Sequence, residues 1–94
     1  MTYKLEFKKQ ALKEWTKLGP DIQAQFKAKL AERLLEPHVP SAKISGGTDL
    51  YKIKLRHVGY RLVYQVKSDI VTVTVLAVGK RDKSGVYFAA LSRL

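Results

Sequence analysis

Between Leu50 and Val66 the sequence L-Y-K-I-K-L-R-H-V-G-Y-R-L-V-Y-Q-V alternates apolar and cationic residues with period 2. That period predicts strands with one buried face and one wet face. Tyr51, Ile53 and Leu55 share one side, and Lys52, Lys54 and Arg56 share the other. Arg56-His57-Val58-Gly59 reads as a loop, after which Tyr60, Leu62, Tyr64 and Val66 return to the apolar side and Arg61 to the wet side. Pairing Leu55 with Tyr60 sets Lys54 opposite Arg61. Like charges facing each other across a ladder cost a few tenths to about 1 kcal/mol per pair. A face that keeps them is expected to meet an anion, and a nucleic-acid backbone fits best.

The rest of the composition narrows the frame. Ninety-four residues suit one domain, residues 1–94, with a single core and little to spare. Without cysteine, neither a disulfide nor a thiolate metal site can staple it. No apolar run approaches the roughly 20 residues of a membrane span. The start, Met-Thr-Tyr-Lys-Leu-Glu-Phe, lacks the apolar stretch of a secretory signal, so a cytoplasmic location and no membrane partner are expected. The formal charge of +10 is concentrated in the second half. Residues 1–41 carry eight basic and five acidic side chains, whereas residues 42–94 carry ten and three. Such an excess attracts polyanions by a salt-sensitive, sequence-independent force.

Thr2 to Phe7 alternates Tyr3, Leu5 and Phe7 with polar residues and predicts a first strand. From Lys8 to Leu18 the period becomes helical, with Ala11, Leu12, Trp15 and Leu18 on one face. Gly19-Pro20-Asp21 stops one helix and starts the next. Ile22, Phe26, Leu30 and Leu34 then mark a second helix ending before Pro37. After a loop over 37–47, strands are predicted at Leu50–Arg56, Tyr60–Lys67 and Ile70–Val78, with Ser68-Asp69 as a tight turn. Lys67 opposite Ile70 would set Leu62, Tyr64 and Val66 across from Val75, Val73 and Val71. Gly79 ends the last strand, and Ser84 caps a short helix carrying Val86, Tyr87, Ala90, Leu91 and Leu94. The order β-α-α-β-β-β-α predicts an α+β fold: a mainly antiparallel four-stranded sheet with helices on its apolar face.

Metal-free RNA cleavage proceeds by attack of a ribose 2′-hydroxyl on the adjacent phosphorus. It needs a proton acceptor, a stabiliser of negative charge and a donor to the leaving 5′ oxygen. His38 and His57 read as ordinary loop residues without an orienting partner. Two histidines without cysteine argue against a zinc site, and no cofactor motif is present. Lys52, Lys54, Arg56, Arg61 and the Gly79-Lys80-Arg81 step remain. Free lysine, with a pKa of about 10.4, is a poor base at neutral pH, but neighbouring cations push that value down. Arginine stays protonated and suits a fixed clamp on phosphate. The same charges could equally form a solvated or phosphate-gripping face without catalysis. Tyr87 could pack in the core, or present its ring to a base and its hydroxyl to a phosphate.

Read together, A-L-K-E-W-x-K-L-G at 11–19, Y-K-I-K-L-R at 51–56, G-Y-R-L-V-Y-Q-V at 59–66, V-G-K-R at 78–81 and Val86-Tyr87 closely resemble the RelE family. These are toxins of bacterial toxin–antitoxin pairs that cleave mRNA in the ribosomal A site. The resemblance covers essentially the whole chain. It implies a small microbial-ribonuclease-like (RelE/ParE-type) fold with an N-terminal helical hairpin and a short C-terminal helix. It also implies ribosome-dependent cleavage, leaving a 2′,3′-cyclic phosphate or 3′-phosphate and a 5′-hydroxyl.

Carried onto this chain, the resemblance makes Lys52 and Lys54 the base and charge stabilisers, Arg61 the clamp on the scissile phosphate, and Arg81 the helper of the leaving oxygen. Tyr87 would stack on or orient the mRNA. Lys43, Arg56 and Lys80 would contact RNA, Lys43 in partial compensation for Ser45, which stands where relatives often carry an arginine. The implied partners are the 30S A site with its 16S rRNA, mRNA, a RelB-like antitoxin that masks the cationic face and displaces the C-terminal helix, and operator DNA through the antitoxin complex. Two alternatives remain: a ParE-type gyrase poison on the same fold, and a non-catalytic RNA- or ribosome-binding module.

Overall fold

The computed structural model describes residues 2–80 and 85–94. Strand β1 (Lys4–Phe7) leads into helices α1 (Lys9–Thr16) and α2 (Pro20–Leu35). Strands β2 (Leu50–Leu55), β3 (Tyr60–Lys67) and β4 (Thr72–Lys80) follow, and then helix α3 (Gly85–Ser92). Gly19, extended, precedes Pro20 at the first position of α2, where the missing N–H costs nothing. No helix among the described residues is long and apolar enough to cross a membrane.

The strand order is β1-β4-β3-β2. β1 lies parallel to β4, while the other two pairings are antiparallel. The sheet is therefore mixed at one edge. The first hairpin has the expected register, Leu55 to Tyr60 and Lys54 to Arg61, and its loop closes through Gly59 at φ 70°.

The second hairpin differs from expectation. Ser68–Ile70 forms a 3₁₀ turn that ends on Val71 in the left-handed region, so Lys67 pairs with Thr72 and Tyr64 with Val75. Between Val63 and Tyr64 the register shifts again and leaves Leu76 as a bulge residue. A bulge breaks the alternation of faces. Val75 and Val78 consequently join one apolar layer, while Leu76 and Ala77 both join the other. The strand also runs past Gly79 to Lys80.

Those two layers lie on opposite faces of the sheet. On the first, Tyr51, Ile53, Leu55, Leu62, Tyr64 and Val66 meet Ala11, Phe26 and Leu30 of the helical hairpin, with Trp15 and Phe7 packed alongside. Of the residues assigned to this layer by period, Leu12 and Leu5 stay exposed. The second layer was not expected. Leu50, Val63, Leu76, Ala77 and Ala90 form it, with Val86, Tyr87 and Leu91 at its margin. Helix α3 thus covers the face that carries Lys54 and Arg61, and not the hairpin's face.

Two devices seat α3. Arg93 donates to both Glu14 oxygens, at 2.8 and 3.0 Å, and to the Leu76 carbonyl at 2.9 Å. Glu14 in turn accepts the Val78 N–H at 3.2 Å. β1 ends opposite Val75, so this pair serves the backbone groups of β4 that β1 no longer reaches. At the far side, a Cβ on Gly46 (φ 104°) would lie 2.9 Å from Leu91, which brings the loop before β2 close beneath the helix.

Candidate nucleic-acid interface

Arg61 occupies the central rung of the α3 face, with Lys54 opposite it on β2 and Gly79 opposite it on β4. It is half-buried, and Lys54 and Arg56 are exposed. The bulge and the seated α3 bring Tyr87 over this rung. Arg61 Nη1 donates to the Tyr87 hydroxyl at 3.2 Å, and its Cζ stands 5.4 Å from the ring centroid. A guanidinium held against an aromatic face is fixed in its planar orientation. Tyr87 takes one of its five N–H groups, and a bidentate phosphate needs two. A cleft of about 240 Å³ opens beside the rung, bordered by Lys54, Arg56, Tyr60 and Arg61.

Lys52, half-buried on the edge strand, borders two further clefts. One of about 280 Å³ is shared with Arg33, Ser41, Lys54 and Arg56. The other, of about 430 Å³, is shared with Lys43, Ser45 and Tyr87. Five of the expected residues therefore share one connected surface on β2, β3 and α3: Lys52, Lys54, Arg56, Arg61 and Tyr87. Lys43, bridged to that surface through its pairing with Tyr51, is exposed at its rim. Lys80 pairs with Tyr60 and borders a separate cleft with Glu14, Val78 and Val86. Arg81 lies outside the described residues.

Arg33 was not anticipated. It reaches from the last turn of α2 to donate to the Lys52 carbonyl at 3.2 Å and the Tyr64 hydroxyl at 2.9 Å. On the sequence it is one more charge on a helix that also carries Lys27, Lys29 and Glu32, and nothing distinguishes it from a solvated one. His57 is exposed, as expected of a loop residue. His38, also exposed, stands edge-on to Tyr3 and Tyr51.

Comparison with known proteins bears on this arrangement. Residues 5–85 match the family described as ParE toxin of type II toxin–antitoxin system, parDE. The fold is that of the toxins of type II toxin–antitoxin systems. The mRNA interferase toxin RelE of Escherichia coli K12 is 51% identical over 94 residues, covering 100% of this chain and 99% of that protein. A free Escherichia coli RelE carrying two arginine substitutions superposes with a TM-score of 0.92 at 50% identity, covering 100% of this chain and 99% of that one. The same toxin bound to a peptide of the antitoxin RelB matches with a TM-score of 0.84, at the same identity and coverage. The chain belongs to the RelE family.

Proposed function

We propose that this chain is a ribosome-dependent endoribonuclease, the toxin of a type II pair, acting in the cytoplasm on mRNA in the 30S A site. The observation that carries this reading is the rung of Lys54 and Arg61 beneath the Tyr87 hydroxyl, within a chain 51% identical to an mRNA interferase. Gyrase poisoning by a ParE-type relative is the second reading, favoured by the name of the matching family.

In the proposed chemistry Lys52 or Lys54 takes the 2′ proton. The 2′ oxygen attacks phosphorus, and the bond to the 5′ oxygen breaks. Arg61 holds the phosphoryl oxygens as negative charge builds on them, and Arg81 donates a hydrogen bond to the departing oxygen. That oxygen takes a proton from water to leave as the 5′-hydroxyl, while the protonated lysine returns its proton to solvent. Tyr87 orients the strand. Lysine is a weak general base beside histidine, so much of the rate must come from holding the RNA in attack geometry. The ribosome supplies that constraint. Lys43, Arg56 and Lys80 would hold flanking phosphates. A RelB-like antitoxin would cover this face and, with the toxin, occupy operator DNA.

The test is to offer purified protein the same message naked and threaded through ribosomes, and to map the new 5′ ends. Codon-phased cuts on ribosome-bound message alone are expected. Intact messages accompanied by DNA damage in cells would overturn the reading in favour of gyrase.

A further inference from the structure

Phe88 is 70% exposed, more than any other large hydrophobic side chain among the described residues, and it packs into neither apolar layer. It follows Tyr87 directly and borders the 430 Å³ cleft with Lys43 and Lys52. Ile44 and Leu91 complete the apolar lining. The walls are fixed by the fold. The Ile44 N–H donates to the Leu50 carbonyl at 2.9 Å, and Gly46 adopts the φ of 104° that lets its loop pass under Leu91. An exposed aromatic ring, an apolar floor and two ammonium groups on one rim suit a planar, uncharged ring joined to an anionic backbone. An apolar segment of a protein would leave Lys43 and Lys52 without counter-charge.

We propose that this cleft is a nucleobase subsite: a base next to the scissile phosphodiester stacks on Phe88, and Lys43 holds that nucleotide's phosphate. The inference rests on the nuclease reading and adds a substrate contact to it. Phe88 would weight cleavage toward messages with a purine at that position, because the larger ring system covers more of the phenyl face.

The experiment is single-turnover cleavage by full-length protein on ribosome-bound messages carrying a purine, a pyrimidine or an abasic residue at each position flanking the cut. Antitoxin affinity is measured in parallel. Phe88→Ala should slow cleavage about 10-fold, in line with the loss of one base–aromatic stack, and Phe88→Trp should restore it. The difference between wild type and Phe88→Ala should vanish when the stacked base is abasic. Wild-type rates for Phe88→Ala on every message would overturn the subsite and leave the nuclease standing. A loss confined to antitoxin affinity would overturn it too and make Phe88 a protein contact. Absence of cleavage by the wild type on every message would overturn the nuclease reading and the subsite with it.

Discussion

Two arginine–tyrosine pairs sit on opposite faces of one sheet. Arg33 lies 5.8 Å from the centroid of Tyr64 and donates to its hydroxyl at 2.9 Å. Arg61 lies 5.4 Å from the centroid of Tyr87 and donates at 3.2 Å. The chemistry is the same, and the surroundings are not. Tyr64 is fully buried, and its hydroxyl also donates to the Pro37 carbonyl at 2.8 Å. Burial pushes its pKa up, with Arg33 pulling against that shift, so the hydroxyl keeps its proton and its donor role. Arg33 ties the same hydroxyl to the Lys52 carbonyl. That pair closes on protein groups. Arg61, by contrast, stands on a rung opposite another cation beside an open cleft. Arg33 too borders a cleft, but it is held by two protein acceptors. An identical pair can thus fasten a helix or wait for a phosphate, according to what else surrounds it.

The strongest way to break this contrast is to delete each arginine. Arg61→Ala should reduce single-turnover cleavage by about 100-fold or more, as for loss of a donor to a developing oxyanion, while stability changes by no more than about 0.5 kcal/mol. Arg33→Ala should do the reverse, costing about 1–3 kcal/mol of unfolding free energy through lost partners in a buried site. Cleavage per folded molecule should then fall far less than for Arg61→Ala. Chemical denaturation and ribosome-bound cleavage on both variants decide it, and equal losses of activity would erase the distinction.

Removing the hydroxyls sharpens it at lower cost. Tyr87→Phe keeps the ring over Arg61 and should slow cleavage about tenfold, a change of about 1.4 kcal/mol, with melting temperature unchanged. Tyr64→Phe should lower stability by about 1–2 kcal/mol, leaving Pro37 and Arg33 short of a partner, with cleavage by the folded fraction intact. If Tyr87→Phe instead melts early, its hydroxyl is structural and the two faces are alike.

The working face was legible only in part, for physical reasons. Alternation from Tyr51 to Arg56 and from Tyr60 to Leu62, with a glycine in the intervening loop, set Lys54 against Arg61, because a slip of one residue would bury the cations. No such alternation guided β4. Val75-Leu76-Ala77-Val78 is apolar throughout, so a bulge leaves no mark on its pattern. Val71, a β-branched residue, adopts φ 49°, a conformation that turn chemistry would not assign to it. Helix α3 carries apolar side chains from Val86 to Leu91 and so shows no preferred face. Only the resemblance therefore decided between a core and a site role for Tyr87, Phe88 was not singled out at all, and the layer beneath α3 was hidden behind the lysines that share its strands.

The smallest expected effect separates the faces by pH. Tyr87 is held over Arg61 by α3, and α3 is fastened by Arg93 to Glu14. Burial raises the Glu14 pKa, but the Arg93 hydrogen bonds, the Val78 N–H and the charges of Arg93 and Lys17 outweigh it and hold the carboxyl below its ordinary 4.5. A depressed carboxylate stabilises the folded state above its unfolded pKa, and that contribution disappears as pH falls through the lower folded value. The Glu14 side chain is 34% exposed, so solvent screens the gain, and global unfolding should move little. Acidification below 4.5 should instead loosen α3 first. The Tyr87 ring resonances should shift in that range while those of Tyr64, tied to Arg33 and a backbone carbonyl, stay in place. Glu14→Gln should show the loosened Tyr87 signal already at neutral pH and no further acid step. Tyr64 and Tyr87 moving together would mean that the two faces melt as one, and the ion pair would then be no separate fastening for the working side.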